Sequence, residues 1–237
     1  MTKRFRMIAG PNGSGKSTLM HRLERDYAVN FYDFLNADDI FAEVKRTGSY
    51  LPHISVEEKA LEKYAIDSEY ANSVKACFDG KRITIDNDCV RFHDTDAINS
   101  YTVALLTNFL QRAYILSGVS FSQETVFSHP SKIEALKAAR DAGYRTYLYY
   151  IATDSWKINS ARVANRAKQG GHDVPADKIA ARYQRSLELL PEALPYLSRA
   201  YFFDNSGEEM KYLGQWNERD GLVWQMKTLP IWLADKI

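Results

Sequence analysis

A glycine-rich loop near the start of the chain carries the clearest chemical signal in the sequence. It matches the pattern G-x-x-x-x-G-K-[ST] and continues into a threonine, with the residues Gly10, Pro11, Asn12, Gly13, Ser14, Gly15, Lys16, Ser17 and Thr18. Glycines let such a loop curl so that successive backbone N–H groups point at phosphate oxygens. The lysine then meets the β- and γ-phosphates, and the Ser17 hydroxyl is a ligand for Mg²⁺. The loop therefore predicts a site for a nucleoside triphosphate with Mg²⁺.

The elements predicted around this loop distinguish it from a chance run of glycines. Residues 5–9 are predicted to form a buried strand, and residues 16–27 a helix with one apolar face. The positive end of such a helix adds to the attraction for phosphate. Motors, GTPases, transporters and kinases all use this loop, so it leaves the destination of the phosphoryl group open.

A pair of carboxylates follows the second predicted strand, residues 31–35, in the sequence Asn36-Ala37-Asp38-Asp39. In an open α/β sheet, ligands bind beyond the carboxyl ends of the strands. A carboxylate at that place can accept the proton of an acceptor hydroxyl, and Asp38 is preferred because it lies nearer the end of the strand. An alternative stays open at this point, in which Asp38 or Asp39 caps a helix that begins at Ile40.

Glu124 and Thr125 follow a third predicted strand, residues 119–122. The carboxylate of Glu124 can bind Mg²⁺ through water or hold a substrate hydroxyl; the alternative is a solvated loop acid. No apolar run in the sequence ends in Asp-Glu, so a conventional Walker B acid is missing. Motor-type ATPases, which need that acid to hold Mg²⁺ and polarise water, are therefore disfavoured.

Four arginines bracket a pair of glycines in the second half of the chain. The arginines are Arg162, Arg166, Arg182 and Arg185, and the glycines are Gly170 and Gly171. Each pair of arginines shares one face of a predicted helix. Two such helices joined by a glycine turn are typical of a lid that closes over the transferring phosphoryl group and excludes water. The alternative is an ordinary solvated face.

The elements that must position these side chains alternate between strands and helices. Core strands are predicted at residues 5–9, 31–35, 119–122, 144–151 and 200–203, and the main helices at residues 16–27, 55–78, 99–116, 130–142, 156–168 and 176–190. This alternation indicates an α/β fold of the P-loop NTPase, nucleotide-kinase-like type, with a parallel sheet covered by helices on both faces. The helix at 55–78 is expected to start at a capping box, Ser55-Val56-Glu57-Glu58.

The domain organisation follows from the same pattern. Residues 1–237 are predicted to form a single domain. Within it we expect an insertion at about 80–118 that includes a hairpin at 81–92, a lid-like segment at about 156–190, and a C-terminal hairpin within 210–229.

Composition excludes several classes of protein. The 31 basic and 30 acidic residues nearly cancel, so no overall cationic field attracts nucleic acid or a membrane, and a nucleic-acid partner is not expected. Cys77 and Cys89 are too few for a disulfide framework or a four-thiolate zinc site. The basic N-terminus lacks an apolar segment of signal-peptide length, and no uncharged apolar run approaches the length of a membrane span. We therefore expect a cytoplasmic protein in a reducing compartment.

Together, these motifs resemble those of the zeta toxin family of P-loop kinases. The resemblance rests on the loop at 10–18, on Asn36-Ala37-Asp38, on Gln123-Glu124-Thr125, on the arginine segment from 162 to 185, and on Asp204-Asn205-Ser206 after the last core strand. These motifs span roughly residues 1–46 and 118–207. Residues 47–118 and the tail after 206 contain no motif that we can map onto the family.

The resemblance implies an ATP-dependent kinase that phosphorylates a hydroxyl of a small molecule such as UDP-N-acetylglucosamine, with an antitoxin protein as a candidate partner. It implies that Lys16 and Ser17 serve ATP and Mg²⁺, that Asp38 is the base, and that Glu124 and Thr125 position the acceptor. Arg162, Arg166, Arg182 and Arg185 would then neutralise charge. Two alternatives remain: a kinase of nucleosides or polynucleotide 5′-hydroxyls, and a non-catalytic module that binds ATP and a partner.

Overall fold

The computed structural model describes residues 2–68, 71–72, 74, 83–169 and 174–237. The chain divides into two compact units, one made of Met1–Tyr32 with Phe121–Ile237 and the other of Asp33–Ser120. The predicted insertion at 80–118 falls within the second unit, which begins earlier in the chain, at Asp33.

The described residues form strands and helices close to most of the predicted bounds. The strands are β1 (Arg4–Ala9), β2 (Asp33–Leu35), β3 (Ser49–Tyr50), β4 (Ile83–Asp86), β5 (Cys89–Phe92), β6 (Phe121–Thr125), β7 (Arg145–Ala152), β8 (Arg199–Asp204), β9 (Lys211–Asn217) and β10 (Gly221–Trp224). The helices are α1 (Lys16–Tyr27), α2 (Ala37–Thr47), α3 (Glu58–Asp67), α4 (Ser100–Ser117), α5 (Ser131–Asp141), α6 (Trp156–Lys168), α7 (Ala176–Ala193) and α8 (Ile231–Ala234).

In the sheet of the first unit, β1 lies between β7 and β6. Its strands follow the order β10-β9-β8-β7-β1-β6. Strands β6, β1, β7 and β8 run parallel, and β9 and β10 extend the sheet as an antiparallel hairpin. The predicted parallel sheet and the predicted C-terminal hairpin are both confirmed. Because the carboxyl ends of parallel strands meet at one edge, the segments after β1, β6, β7 and β8 come together there.

Helices cover both faces of this sheet, as predicted. Tyr149 and Tyr150 are adjacent in β7 and therefore point to opposite faces. The ring of Tyr149 lines a cavity together with Leu19 and Leu23 of α1. On the other face, the hydroxyl of Tyr150 is 2.9 Å from the hydroxyl of Ser186 in α7.

The second unit contains α2, α3 and α4 and a small antiparallel sheet in the order β3-β5-β4. The hairpin of β4 and β5 turns at Asn87 and Asp88, which both have positive φ, so the predicted hairpin is confirmed for its described part. Lys81 and Arg82 lie outside the described residues. The helix predicted at 99–116 is present as α4, and the side chain of Asn99 caps its first turn.

Two predicted boundaries are wrong. The strand predicted at 119–122 begins two residues later, at Phe121, because Gly118 ends α4 with a φ of 75° and Val119 lies exposed in the connection. Glu124 and Thr125 therefore lie within β6 and not after it. The helix predicted at 55–78 begins at Glu58, and α3 ends at Asp67. Part of the rest of that range lies outside the described residues.

The predicted capping box at Ser55 is also wrong. The hydroxyl of Ser55 donates a hydrogen bond to Oδ1 of Asp88 at 2.8 Å, and the N–H of Val56 donates to the same atom at 3.0 Å. The turn between β4 and β5 thus engages the serine side chain that was predicted to cap the helix. In the described residues, no helix is both long and apolar enough to cross a membrane.

Candidate active site

The loop at residues 10–15, here called the phosphate loop, joins the end of β1 to the start of α1. Gly10, Gly13 and Gly15 have φ values of 148°, 74° and 100°, a region that side-chain-bearing residues rarely adopt. A Cβ atom added at Gly13 would lie 2.5 Å from the backbone oxygen of Asn159, at the buried side of α6. The loop therefore needs glycine both for its backbone conformation and for its close approach to α6.

Lys16, Ser17 and Glu124 meet at the carboxyl end of the sheet. Glu124 on β6 lies beside Ile8 on β1, one residue before β1 ends. The Ser17 hydroxyl donates a hydrogen bond to Oε2 of Glu124 at 3.1 Å, and Nζ of Lys16 lies 3.8 Å from Oε1 of the same carboxylate. Nζ of Lys16 also donates to the backbone oxygen of Pro11 at 3.2 Å. A cation, a hydroxyl and a carboxylate thus share one small site.

The groups of this site fit a nucleoside triphosphate with Mg²⁺. The side chain of Ser14 is completely buried, and its hydroxyl has no hydrogen-bond partner among the described residues. A buried hydroxyl without a partner is costly, and a phosphate oxygen would satisfy it. The hydroxyl of Ser17 and the carboxylate of Glu124 are the oxygen ligands that Mg²⁺ prefers, directly or through water.

Two asparagines from distant parts of the chain support the phosphate loop. Nδ2 of Asn205, just after β8, donates a hydrogen bond to the backbone oxygen of Ser14 at 2.8 Å. Asn159 approaches Gly13 with its backbone, and its side-chain Oδ1 accepts a hydrogen bond from Thr153 at 2.7 Å. Asn205 belonged to a motif of the resemblance, whereas no signal in the sequence pointed to Asn159.

Thr125 has a structural part in the same region. Its backbone oxygen accepts a hydrogen bond from the N–H of Gly10 at 3.3 Å. Its side-chain oxygen accepts from the N–H of Phe127 at 3.1 Å, which shapes the turn after β6. Among the described residues, the Thr125 hydroxyl is thus already engaged with the backbone.

Of the four arginines, Arg162 is the one with a hydrogen bond to the region of the phosphate loop. Its Nη2 is 3.5 Å from the backbone oxygen of Gly207, two residues after Asn205, and its Nη1 is buried without a hydrogen-bond partner among the described residues. Arg166 and Arg185 are exposed and Arg182 is half-buried; none of these three forms a hydrogen bond or ion pair with another described residue.

The helices that carry the arginines are anchored to the core. Helix α6 packs against α7. The Tyr183 hydroxyl of α7 donates a hydrogen bond to the backbone oxygen of Thr153 at 2.6 Å, just after β7. Burial, together with the negative charges of Asp154 and Asp204, raises the pKa of Tyr183 to about 12, so the hydroxyl keeps its proton at neutral pH. The predicted hinge at Gly170 and Gly171 lies outside the described residues.

Asp38 belongs to the second unit, where it lies exposed in the first turn of α2. The helix begins at Ala37 and not at Ile40, and its cap is Asn36, whose Oδ1 accepts a hydrogen bond from the N–H of Asp38 at 2.9 Å. The interpretation of Asp38 or Asp39 as the cap is therefore wrong. Both carboxylates are in the first turn, where the helix dipole favours negative charge.

A cleft of about 380 Å³ opens beside the first turn of α1 and the segment after β8. It is lined by Thr18, Arg22, Asn205, Glu208, Glu209 and Met210. Arg22 and Met210 also line the neighbouring cavity of about 250 Å³, whose other walls are apolar and aromatic side chains of α1, β7, β8 and β9. The cleft and the aromatic cavity therefore share a wall formed by Arg22 and Met210.

Glu124 is the residue whose position the sequence left least defined. No Walker B acid was identifiable, because the residues before Glu124 are the polar Ser122 and Gln123 and not an apolar run. Both are nevertheless buried, since the strand lies inside a parallel sheet. The structure brings Glu124 to Lys16 and Ser17, directly after the phosphate loop, so a carboxylate lies at this place despite the missing pattern.

Comparisons with known proteins agree with this architecture. The AAA_33 family model, described as AAA domain, matches residues 6–190. An uncharacterized protein of Haemophilus influenzae is 35% identical over 65 residues, a match that covers 27% of this chain and only 46% of the relative.

Solved structures show the same fold at low identity. A crystal structure of AvrRxo1-ORF1:-ORF2 with ATP superposes with a TM-score of 0.55 at 13% identity and covers 94% of this chain but 61% of that chain. The PezAT chromosomal toxin-antitoxin system of Streptococcus pneumoniae superposes with a TM-score of 0.53 at 12% identity, over 100% of this chain and 78% of that chain. This chain thus spans about three fifths of the first of these proteins.

Replacement of Gly13 tests the packing of the phosphate loop. We expect Gly13→Ala to lower the free energy of unfolding by about 1–3 kcal/mol, because alanine would be strained at a positive φ and its Cβ would press on Asn159. Urea unfolding measures the change. Gly207→Ala is the matched control, since Gly207 has open space around it, and it should stay within about 0.5 kcal/mol of the unmodified chain. Equal stability of the two variants would contradict the strained geometry of the loop.

Proposed function

The chain belongs to the AAA_33 family of AAA domains, and from that premise we propose that it is an ATP-dependent kinase that transfers the γ-phosphoryl group to a hydroxyl of a small molecule. The observation that supports this most directly is the meeting of Lys16 and Ser17 with Glu124 at the carboxyl edge of a parallel sheet. Phosphoryl transfer needs positioning and charge neutralisation more than covalent chemistry from the protein. This site offers both.

The roles of the site residues follow from their chemistry. Lys16 places its charge at the β- and γ-phosphates, and the backbone of residues 10–15 binds phosphate oxygens through N–H groups. Bound Mg²⁺ would supply Lewis-acid chemistry to the phosphate groups. Ser17 would hold the ion, and Glu124 would orient the Ser17 hydroxyl and bind the ion through water.

In the proposed transfer, an acceptor oxygen bonds to the γ-phosphorus while the bond from that phosphorus to the β–γ bridging oxygen breaks, leaving ADP. Asp38 would take the proton of the acceptor hydroxyl. Arg162, Arg166, Arg182 and Arg185 would neutralise the negative charge that spreads over the phosphoryl oxygens. The support is that Nη1 of Arg162 is buried without a hydrogen-bond partner among the described residues, and that the other three guanidiniums form no hydrogen bond or ion pair with another described residue.

UDP-N-acetylglucosamine is the acceptor that we propose to test first, as in zeta-type toxins. The support is the resemblance of the motifs at Asp38, Glu124 and the arginines to that family. The nearly balanced charge of the chain disfavours a polynucleotide acceptor, whose phosphates need basic surface. If the chain acts as such a toxin, we expect an antitoxin protein as its partner, by analogy with the toxin-antitoxin system of Streptococcus pneumoniae.

Incubation with labelled ATP and separate pools of acceptors tests the proposal. We expect labelled product from UDP-amino sugars, and separate pools of nucleosides and 5′-hydroxyl oligonucleotides identify the alternative acceptors. Nucleotide binding without transfer to any pool would contradict a kinase and favour the non-catalytic module.

The variant Asp38→Asn tests the role of Asp38 as the catalytic base separately from nucleotide binding. We expect this variant to bind ATP normally and to lose transfer by about 10²-fold or more, because the amide cannot accept the proton. Asp39→Asn is the matched control, with the same change of charge one residue along α2, and it should keep most of the activity. Single-turnover transfer to the identified acceptor provides the measurement. Full activity of Asp38→Asn would remove this residue as the base.

Lys16→Ala tests the phosphate loop itself. We expect the Kd for ATP to rise by about tenfold or more, since a largely buried cation that faces the phosphates is lost. Isothermal titration calorimetry measures the change, and Lys137→Ala, at an exposed position of α5, is the control for loss of one positive charge. Unchanged affinity of Lys16→Ala would contradict the placement of the triphosphate.

A further inference from the structure

The C-terminal segment places one buried indole against the end of β8. Trp232 in α8 is 4% exposed, and its ring packs on Tyr150 at a centroid distance of 5.9 Å. The indole Nε1–H donates a hydrogen bond to Oδ1 of Asp204 at 2.9 Å, and the bond is buried. The tail after residue 206, which had no recognisable motif, therefore reaches back into the core of the first unit.

Asp204 uses the same carboxylate to shape the turn that follows β8. The Ser206 hydroxyl donates to Oδ1 at 2.7 Å, and the Ser206 N–H donates to Oδ2 at 3.3 Å. A carboxylate that accepts from the N–H two residues later stabilises a tight turn. The Ser206 hydroxyl in turn accepts a hydrogen bond from the N–H of Asp154 at 2.9 Å, which ties the turn to the segment after β7.

The turn presents Asn205 to the phosphate loop. The N–H of Asn205 donates to the backbone oxygen of Ala152 at 2.9 Å, and its side-chain Nδ2 donates to the backbone oxygen of Ser14 at 2.8 Å. In a trans peptide the C=O of one residue and the N–H of the next point in opposite directions. Because Asn205 fixes the direction of the Ser14 carbonyl, it also fixes the direction of the Gly15 N–H, one of the donors of the loop.

We propose that Trp232 is a positioning residue for the nucleotide site, acting on the phosphate loop through Asp204 and Asn205. This inference rests on the proposed function, because it requires that residues 10–18 bind phosphate. Asp204 is 8% exposed, so its charge depends on protein donors, and the indole is one of them. Loss of that donor removes one of the three hydrogen bonds to the carboxylate described above and weakens the turn that holds Asn205.

A role confined to packing makes a different prediction. Trp232 would then stabilise the fold through its ring alone, and phenylalanine, which keeps an aromatic ring beside Tyr150, would leave the nucleotide site of the folded protein unchanged. The positioning role depends on the N–H group. It therefore predicts a change in phosphate binding at temperatures where the variant is fully folded.

Calorimetry with inorganic tripolyphosphate and with ATP distinguishes the two roles in the full chain. We expect Trp232→Phe to raise the Kd for both ligands by the same factor, about three- to tenfold. The factor should be the same because the effect acts on the phosphate loop and not on the contacts of the adenine ring. In the background of Asn205→Ala, the same substitution should add little, since two residues that act through one contact are not additive. Ile231→Ala is the control on α8, at a side chain that is 75% exposed.

Exchange of the indole N–H with solvent gives a second measurement that needs no variant. Because coupling between two sites is reciprocal, tripolyphosphate should slow exchange at Nε1–H of Trp232 in the unmodified chain. Trp156, Trp216 and Trp224 serve as internal references. This measurement decides the question if Trp232→Phe fails to fold.

Four outcomes would overturn the proposal. Unchanged Kd in Trp232→Phe, or full additivity with Asn205→Ala, would reduce Trp232 to a packing residue while leaving the nucleotide site intact. Unchanged exchange at the indole would do the same. Failure of the unmodified chain to bind either ligand would overturn the proposed function itself, and the positioning role with it.

Discussion

The direction of the peptide groups between β1 and α1 is the constraint on which the candidate site depends. Three glycines with positive φ turn the chain so tightly that neighbouring backbone and side chains leave no room for a Cβ. The position of β1 between β6 and β7 makes this crowding possible, because the loop at its end is reached from both sides. Glu124 lies on β6, on one side of β1. Ile151 lies on β7 and Asn205 just after β8, on the other side of β1.

Charge at this edge of the sheet is arranged around a single carboxylate. Glu124 faces the largely buried ammonium of Lys16 and accepts the hydroxyl hydrogen of Ser17. A buried cation needs a partner, and here the partner is an acid on the adjacent strand. Under the proposed function, an arriving phosphate would give the lysine a second anion and would leave the carboxylate available to a divalent ion. The same three groups can therefore pair with one another before a nucleotide binds, and all three could contact the nucleotide afterwards.

Much of the fold could be predicted from the sequence because its signals are local. The bounds of α1 and α6 agree with the predicted ones, since each helix has a clear apolar face and a defined start. The predictions were wrong where the local pattern does not show the tertiary environment of a residue. The Ser55 hydroxyl donates a hydrogen bond to Asp88 in the hairpin of β4 and β5. Strand β6 begins after Val119, which is exposed although valine has high strand propensity.

The candidate site also has parts that the sequence predicts and parts that depend on tertiary contacts. The phosphate loop is a contiguous motif, so the sequence identified it in full. The partnership of Glu124 with Lys16 and Ser17 depends on strand order, which no local pattern encodes. Asn159 supports Gly13 through a backbone atom, and a contact of that kind leaves no trace in side-chain type. The proposed role of Trp232 could not be predicted from the sequence, because it depends on where the tail after residue 206 packs, and that tail has no recognisable motif.

The order of the strands also has a consequence for how the chain reaches its native state. Phe5 of β1 pairs with Phe121 on one side and with Thr146 on the other, so β1 is incomplete until two much later parts of the chain have joined it. Closing loops of that length costs entropy before any contact repays it, and such topologies fold slowly. Until then the unpaired N–H and C=O groups of β1 can pair with an edge of another chain, so slow assembly of the sheet exposes this segment to aggregation.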